Sequence, residues 1–410
     1  MTRRLVRPYL DILATPGAWR FSLAAWFGRI MRSTAGIGAI LLIADSSSNY
    51  ALAGAVSGCV VLGAALLSPI WSRVADARGQ GAVLPLAIVT AVVSAAGLIA
   101  VVQLGAPSWT WFVAAFLVGA SSVDAGTLAR ARWVHLLRSP HDKHTALALE
   151  SVGDEFTFVI GPPVVTLLAG LISPAFGLAT GVAISVTGLA VLLAQRSTAP
   201  AAVRSPQRRR GLLPAGIVGL LPAYVGVGLM FGSVDLTAVG VAREAGSPAL
   251  AGVLLAALAV GSVASGLVFG AISGAWSPIR RVLFASIAFG LVVPLLLVVR
   301  DIPTLAVISF AAGLVTTPVL ISGSSLIEII VDRSEITTAM AWPSVALSLG
   351  VTIGATVSGE SINQGGAWAG LLVCGAAAVL VGGCGILNAM LRRPHVVLPD
   401  PTRVTEPVDS

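Results

Sequence analysis

The chain has 410 residues, 56% of them hydrophobic and only 10% charged, with a formal net charge of +7. A soluble protein of this length needs far more charge to cover its surface, while apolar runs of about 20 residues, enough to cross a hydrocarbon core of about 30 Å, recur from end to end. A soluble enzyme and a nucleic-acid-binding protein are both excluded, and the positive balance reads as the Lys/Arg excess of cytoplasmic loops.

In chain order, MTRRLVRPYLDILATPGAW has neither a continuous apolar core nor a cleavage site, so it is not a signal peptide, and residues 1–17 are read as a cytoplasmic N-terminal segment. Twelve spans follow, at 18–43, 51–71, 82–103, 109–131, 146–172, 175–194, 213–238, 249–271, 281–299, 304–328, 338–361 and 367–391. Connections on one side carry Arg73, Arg78, Arg138, Lys143, Arg208, Arg209, Arg210, Arg280 and Arg392, whereas the other side carries only Arg243 and Arg300. The basic side marks the cytoplasm, which puts both termini inside a multi-pass protein of the plasma membrane. The polar, arginine-rich stretch 195–211 divides the chain into an N-terminal six-helix half, 18–194, and a C-terminal one, 212–391; residues 392–410, rich in Pro and Asp, are read as a disordered cytoplasmic tail. Cys59, Cys374 and Cys384 fall inside apolar runs and form no disulfide framework.

The most informative stretch is Ala146 to Val165, ALALESVGDEFTFVIGPPVV. On a helix Asp154, Glu155, Phe158, Gly161 and Pro162 share one sector of roughly 120°, with Glu150 one turn earlier at its edge. A charge at the membrane centre costs roughly 2.5–3.5 kcal/mol, so an acidic stripe belongs in a bundle interior or a wet cavity. At about 1.5 Å per residue, Arg29 and Arg32 of span 1 lie roughly 16 and 21 Å inside, Asp124 of span 4 roughly 12 Å, and Asp154 and Glu155 about 12–14 Å. Leaving these five groups unpaired would cost on the order of 12–17 kcal/mol, so they are expected to pair with one another or to line water. Asp235 of span 7 has no basic residue nearby in its own segment before Arg243.

Two six-span halves around a basic linker match the plan of parallel-repeat transporters. Over its full length the chain resembles the major facilitator superfamily. Ser72-Arg73-Val74-Ala75-Asp76-Ala77-Arg78-Gly79-Gln80 resembles the superfamily's loop 2–3 motif, Gly-x-Leu-Ala-Asp-Arg-x-Gly-Arg, with Asp76 and Gly79 matched; the equivalent loop 270–276 has lost the aspartate. In the family this loop latches the halves, a role the resemblance gives to Asp76, Arg78 and Gly79. Gly161-Pro162 resembles the core of the antiporter motif, Gly-x-x-x-Gly-Pro-x-x-Gly-Gly, with Thr157 in place of the earlier glycine. Ala129-Arg130-Ala131-Arg132-Trp133, the run around Glu150 and Asp154, and Tyr50-Ala51-Leu52-Ala53-Gly54 resemble a drug-efflux-like, drug:proton antiporter type found in actinobacteria. The family's mid-membrane arginine of span 4 is absent, and Asp124 lies in that neighbourhood.

The resemblance implies an all-α fold of twelve transmembrane helices in two pseudo-symmetric six-helix halves, working by alternating access. It implies a proton-coupled exporter of a small, largely apolar drug or metabolite, acting as a monomer. Asp154, Glu155, Asp235, Asp124 and Glu150 are the proton-coupling candidates, and Arg29 and Arg32 their cavity partners. Trp26, Tyr224, Phe231 and Trp342 are candidates for lining an apolar cavity with a few polar anchors. The alternatives are a proton-coupled importer of a sugar or organic acid and a non-transporting sensor or lipid-handling protein. No Walker-type glycine loop is present, no cofactor is called for, and His141 and His144, in a basic loop without cysteine, are not read as a metal site.

Overall fold

The computed structural model describes residues 2–202, 215–272, 277–331, 339 and 341–391. Loop 270–276, the linker and the tail 392–410 fall wholly or partly outside the described residues. Twelve helical segments are long and apolar enough to cross a membrane, and among the described residues there is no strand. Spans 2, 3, 5 and 6 run over Tyr50–Arg78, Gln80–Gln103, Pro140–Leu171 and Pro174–Ala194. Spans 8, 10 and 11 are Ala249–Ile272, Ile302–Ile330 and Ala341–Gly365. A helix at Thr2–Leu13 precedes span 1, and Gly17 turns the chain between them with φ +81°.

Spans 1 and 4 depart from the continuous helices expected of them. Span 1 divides into Ala18–Gly28 and Ile30–Ser47 around Arg29. The Gly28 carbonyl is taken by the Ser185 hydroxyl of span 6 at 2.5 Å, so the Arg32 N–H donates instead to the Arg29 carbonyl at 3.0 Å. Span 4 divides into Ser108–Ala120 and Ala125–Leu136. Its Ser121 hydroxyl donates to the Val118 carbonyl at 2.7 Å, and Trp71 Nε1 of span 2 donates to the Ala120 carbonyl at 2.7 Å. With those acceptors occupied by side chains the ladder stops, a known cause of helix breaks, and Asp124 caps the restart.

Span 7 also differs from its predicted bounds, running over Leu221–Glu244 after a short turn at Ala215–Val218. Asn388 of span 12 holds that junction by donating to the Gly219 carbonyl at 2.7 Å. Spans 9 and 12 carry a 3-10 turn at one end, Val293–Val298 after Pro278–Val292 and Ala367–Leu372 before Val373–Leu391.

Successive spans alternate between the face that carries the described start of the linker, here the linker face, and the opposite, far face. The apolar core is continuous between spans 1–6 and spans 7–12 through the middle and far part of the bundle. Toward the linker face it divides into two separate clusters. One, around Phe21, Leu84, Leu128 and Trp133, belongs to spans 1–6; the other, around Ile217, Tyr224, Val282 and Leu326, belongs to spans 7–12.

Every hydrogen bond between spans 1–6 and spans 7–12 among the described residues lies toward the far face. Arg243 Nη1 donates to the Ala44 carbonyl at 2.6 Å, Asn363 joins Tyr50 N and Asn49 Oδ1 at 3.0 Å each, and Thr352 Oγ1 donates to the Gly58 carbonyl at 3.2 Å. Backbones meet there without side chains between them: a Cβ on Gly54 would stand 2.3 Å from the Ala355 oxygen, and one on Gly359 2.3 Å from the Tyr50 oxygen. Among the described residues, the two sets of spans are hydrogen-bonded to each other toward the far face and carry separate apolar clusters toward the linker face.

Candidate functional site

Four of the five charges expected to meet form two pairs, Arg29 with Asp154 and Arg32 with Asp124, where both broken helices cross span 5. Arg29, released from regular helix geometry at the kink of span 1, turns its guanidinium onto two carboxylates one helical turn apart. Nη1 donates to Asp154 Oδ1 and to the Glu150 carbonyl, each at 2.8 Å, Nη2 pairs with Glu150 Oε2, and Nε donates to the Ala25 carbonyl at 3.2 Å. Gly126 of span 4 leaves room for this: a Cβ there would stand 3.2 Å from the Arg29 guanidinium carbon.

The two carboxylates occupy different environments. Glu150, read from the helical wheel as the edge of the acidic sector, is the buried one, with its side chain 0% exposed. Besides Arg29 it accepts Ser22 Oγ at 2.7 Å and Trp133 Nε1 at 2.9 Å. A buried charge is tolerable when paired and hydrogen-bonded on every side, and Glu150 has that seat. Asp154 is 30% exposed and bridges two cations: Oδ1 takes Arg29, and Oδ2 takes Nη2 of the half-buried Arg130 in span 4. Glu155 occupies the helix beside it, but its side chain lies outside the described residues, as do those of His141 and His144. Among the described residues no group of three or more His, Cys, Asp or Glu side chains could hold a metal.

Asp124 has a double role. Its carboxylate caps the second helix of span 4, accepting Thr127 N at 3.1 Å and Thr127 Oγ1 at 2.9 Å, and it lies 3.6 Å from Arg32 Nη1. Span 5 docks on span 1 just above: Ser33 Oγ donates to the Thr157 carbonyl at 2.8 Å, and a Cβ on Gly161 would stand 2.6 Å from Ser33 Oγ. Span 5 remains one helix through Gly161, Pro162 and Pro163. Phe158, placed in the acidic sector by the wheel, is exposed.

The remaining candidates lie elsewhere. Asp235 is half-buried in span 7 and makes no hydrogen bond or ion pair with the described residues. Tyr224 is buried against span 10, with its hydroxyl 3.2 Å from Ser324 Oγ and 3.3 Å from the Leu320 carbonyl, so it packs rather than lining an open cleft. Trp26 is packed onto Gly153 and stacks on Phe156 at 5.7 Å, while Phe231 and Trp342 are half-buried against the core. Asp76 and Arg78 are exposed and enter none of the ion pairs among the described residues; Gly79 supplies the turn with φ +82°.

At the linker face another group does the tying. Arg132, buried and stacked 5.9 Å over Phe21, donates to Gln80 Oε1, the Gln195 carbonyl and Thr198 Oγ1 at 2.8 Å each and to the Leu192 carbonyl at 2.9 Å. Gln80 in turn donates to the Leu128 carbonyl at 3.0 Å. One guanidinium thus joins spans 3, 4 and 6 and caps the carboxyl end of span 6, where a cation is favoured. The Arg-x-Arg-Trp spacing of Arg130, Arg132 and Trp133 is the sequence signal for this: residues two apart point to different faces, one arginine to Asp154 and the other to span 6.

The fold is shared with solved transporters. A nucleoside transporter, NupG, superposes with a TM-score of 0.69 at 15% identity, covering 92% of this chain and 99% of that one. A peptide transporter, POT, in complex with sulfate gives 0.68 at 13% identity over 93% of this chain and 97% of that one. No curated protein matches the chain. Residues 21–234, just over half of the sequence, match the family model described as Major Facilitator Superfamily. The chain belongs to the major facilitator superfamily and is a multi-pass membrane transporter rather than an enzyme.

Proposed function

We propose that the protein is a proton-coupled secondary transporter of the drug-efflux-like type, a plasma-membrane monomer that exports a small, largely apolar molecule by alternating access between its six-span halves. The linker face, with its basic loops, is the cytoplasmic one in this reading, and bonding of the halves toward the far face makes the conformation an inward-facing one. The observation that carries the reading is Asp154, a part-exposed carboxylate held between Arg29 of span 1 and Arg130 of span 4. Protonation of Asp154 would break the ion-paired bridge from Arg29 to Arg130 and leave Arg29 anchored by Glu150. A proton gain or loss at one residue would therefore change how firmly spans 1, 4 and 5 are tied together, the differential contact that coupling requires. Glu155, Asp235 and Asp124 are further acidic groups on or near this path.

Everted membrane vesicles containing the protein test the reading. With an imposed ΔpH, accumulation of small, largely apolar fluorescent compounds, uncharged and anionic, should fall more than tenfold in Asp154→Asn and in Asp154→Asn/Glu155→Gln, with both variants inserted at normal level. Full ΔpH-driven accumulation in the double variant would overturn it. A second reading, proton-coupled import of a small nutrient, is favoured by the structural likeness to nucleoside and peptide transporters. Right-side-out vesicles in which a ΔpH acid outside and alkaline inside accelerates uptake would support import instead of export.

A further inference from the structure

Arg32 stands apart from the other charges of the network. Arg29 spends its donors on two carboxylates and two carbonyls, and Arg130 is bound to Asp154. The Arg32 guanidinium donates no hydrogen bond to any described residue. Its one ion-pair partner among the described residues, Asp124, is 3.6 Å away, longer than the roughly 2.7–2.9 Å of a charge-assisted hydrogen bond. Both Asp124 oxygens already accept from Thr127. Arg32 is also 54% exposed although its span is 78% buried over its apolar window. Arg32 lies deep in span 1 beside the break of span 4, with its fork exposed. A guanidinium with a planar, unspent set of donors matches a carboxylate, phosphonate or phosphate bidentately.

We infer that Arg32 is a substrate anchor, and that the transported molecule carries an anionic oxyacid group on its otherwise apolar body. This deepens the proposed function by naming the charge class of its substrate, and it rests on the substrate path running between the halves past Arg32. The anion displaces water from Arg32 and leaves the Arg29–Glu150–Asp154–Arg130 chain intact, so substrate and proton act on neighbouring but separate groups.

The test is calorimetric titration of the purified full-length protein in detergent with matched probes: 1-naphthoate, 1-naphthylphosphonate and the uncharged 1-naphthamide. The two anions should bind the unaltered protein at least tenfold more tightly than the amide. Arg32→Gln should bring all three to the same affinity, and Arg32→Lys should keep part of the preference. Should Arg32→Gln fail to give monodisperse protein, the anion-to-amide ratio on the unaltered protein and on Arg32→Lys decides. Equal binding of the anions and the amide, failure of both anions to bind, or an unchanged preference in Arg32→Gln would overturn the inference. Any of these results alongside ΔpH-driven transport lost only in Asp154→Asn would leave the coupling reading standing and remove the anchor alone.

Discussion

A single methyl group at Gly54 tests whether the closed far face is one of two states. In the structure a Cβ at this position stands 2.3 Å from the carbonyl oxygen and 2.5 Å from the carbonyl carbon of Ala355, where ordinary contact begins at 3.4 Å. The obstacle is backbone on a helix that is itself packed against Gly232 of span 7, so no rotamer change relieves it. Spans 2 and 11 must part by about 1 Å, and overpacking of this kind costs about 1–3 kcal/mol. The cost falls on the far-face-closed state alone, because opening that face separates the two helices. The ratio of closed to open molecules should therefore drop by roughly 5- to 150-fold. Spin labels on the exposed Asp45 and Gln364, at the far ends of spans 1 and 11, report the separation by pulsed electron resonance, with the half-buried Cys59 replaced by serine. Gly54→Ala should add a longer-distance population, and Gly54→Leu should make it dominant. Gly97→Leu, at a site where a Cβ meets nothing within 4 Å, should leave the distribution unchanged. An unaltered distribution in both Gly54 variants would refute the argument that this contact holds the far face shut.

Glu150→Gln removes the buried partner of Arg29 while Ser22 and Trp133 still point at the site, and loss of one member of a buried pair costs about 3–5 kcal/mol. Thermal unfolding in detergent should fall by on the order of 10 °C, far more than for Asp154→Asn, whose site is part-exposed and retains water; equal shifts would count against their separate roles. Arg132→Met should leave Gln80 and the last carbonyls of span 6 without their donor. Hydrogen exchange at residues 192–198 should accelerate at least tenfold in that variant, and unchanged exchange would show that the guanidinium does not hold the start of the linker.

The twelve spans were legible because lipid imposes one simple requirement, a run of apolar residues long enough to cross it. Counting the 3-10 turns of spans 9 and 12, nine of the spans keep their expected helix within a few residues at each end or extend it by a turn or two; the exceptions, spans 1, 4 and 7, are informative. The meeting of Arg29, Arg32, Asp124 and Asp154 was legible from depth counting, since unpaired charges at similar levels must find one another. The helix breaks were not. They depend on Ser185 capturing the Gly28 carbonyl and Trp71 capturing the Ala120 carbonyl, and both donors come from other spans. The ranking of Glu150 and Asp154 was not legible either. A helical wheel gives direction but not which neighbour fills it, and Trp133 and Ser22 fill it at Glu150.

The loop after span 2 shows why a motif and a contact are different things. Asp76 carries the strongest match to the superfamily's latch, yet it is solvated, and the buried polar link at that face runs through Arg132 and Gln80, one residue past the matched glycine. The physical reason is that Arg132 finds the carboxyl end of span 6 and a side-chain amide within reach, so every acceptor around it is supplied by spans 3 and 6 and no carboxylate from loop 2–3 is needed. That leaves the linker-face ends of spans 1–6 braced among themselves and, among the described residues, not bonded to spans 7–12. The far face holds the only inter-half hydrogen bonds among the described residues, so a rocking motion that opens it must break those few bonds and separate the glycine contacts, while the charged chain on spans 1, 4 and 5 moves as part of one body. On the proposed mechanism the Gly54, Gly58 and Gly359 contacts are what resists opening of the far face, and Asp154 would act by changing how spans 1, 4 and 5 are tied within the body that carries Gly54 and Gly58.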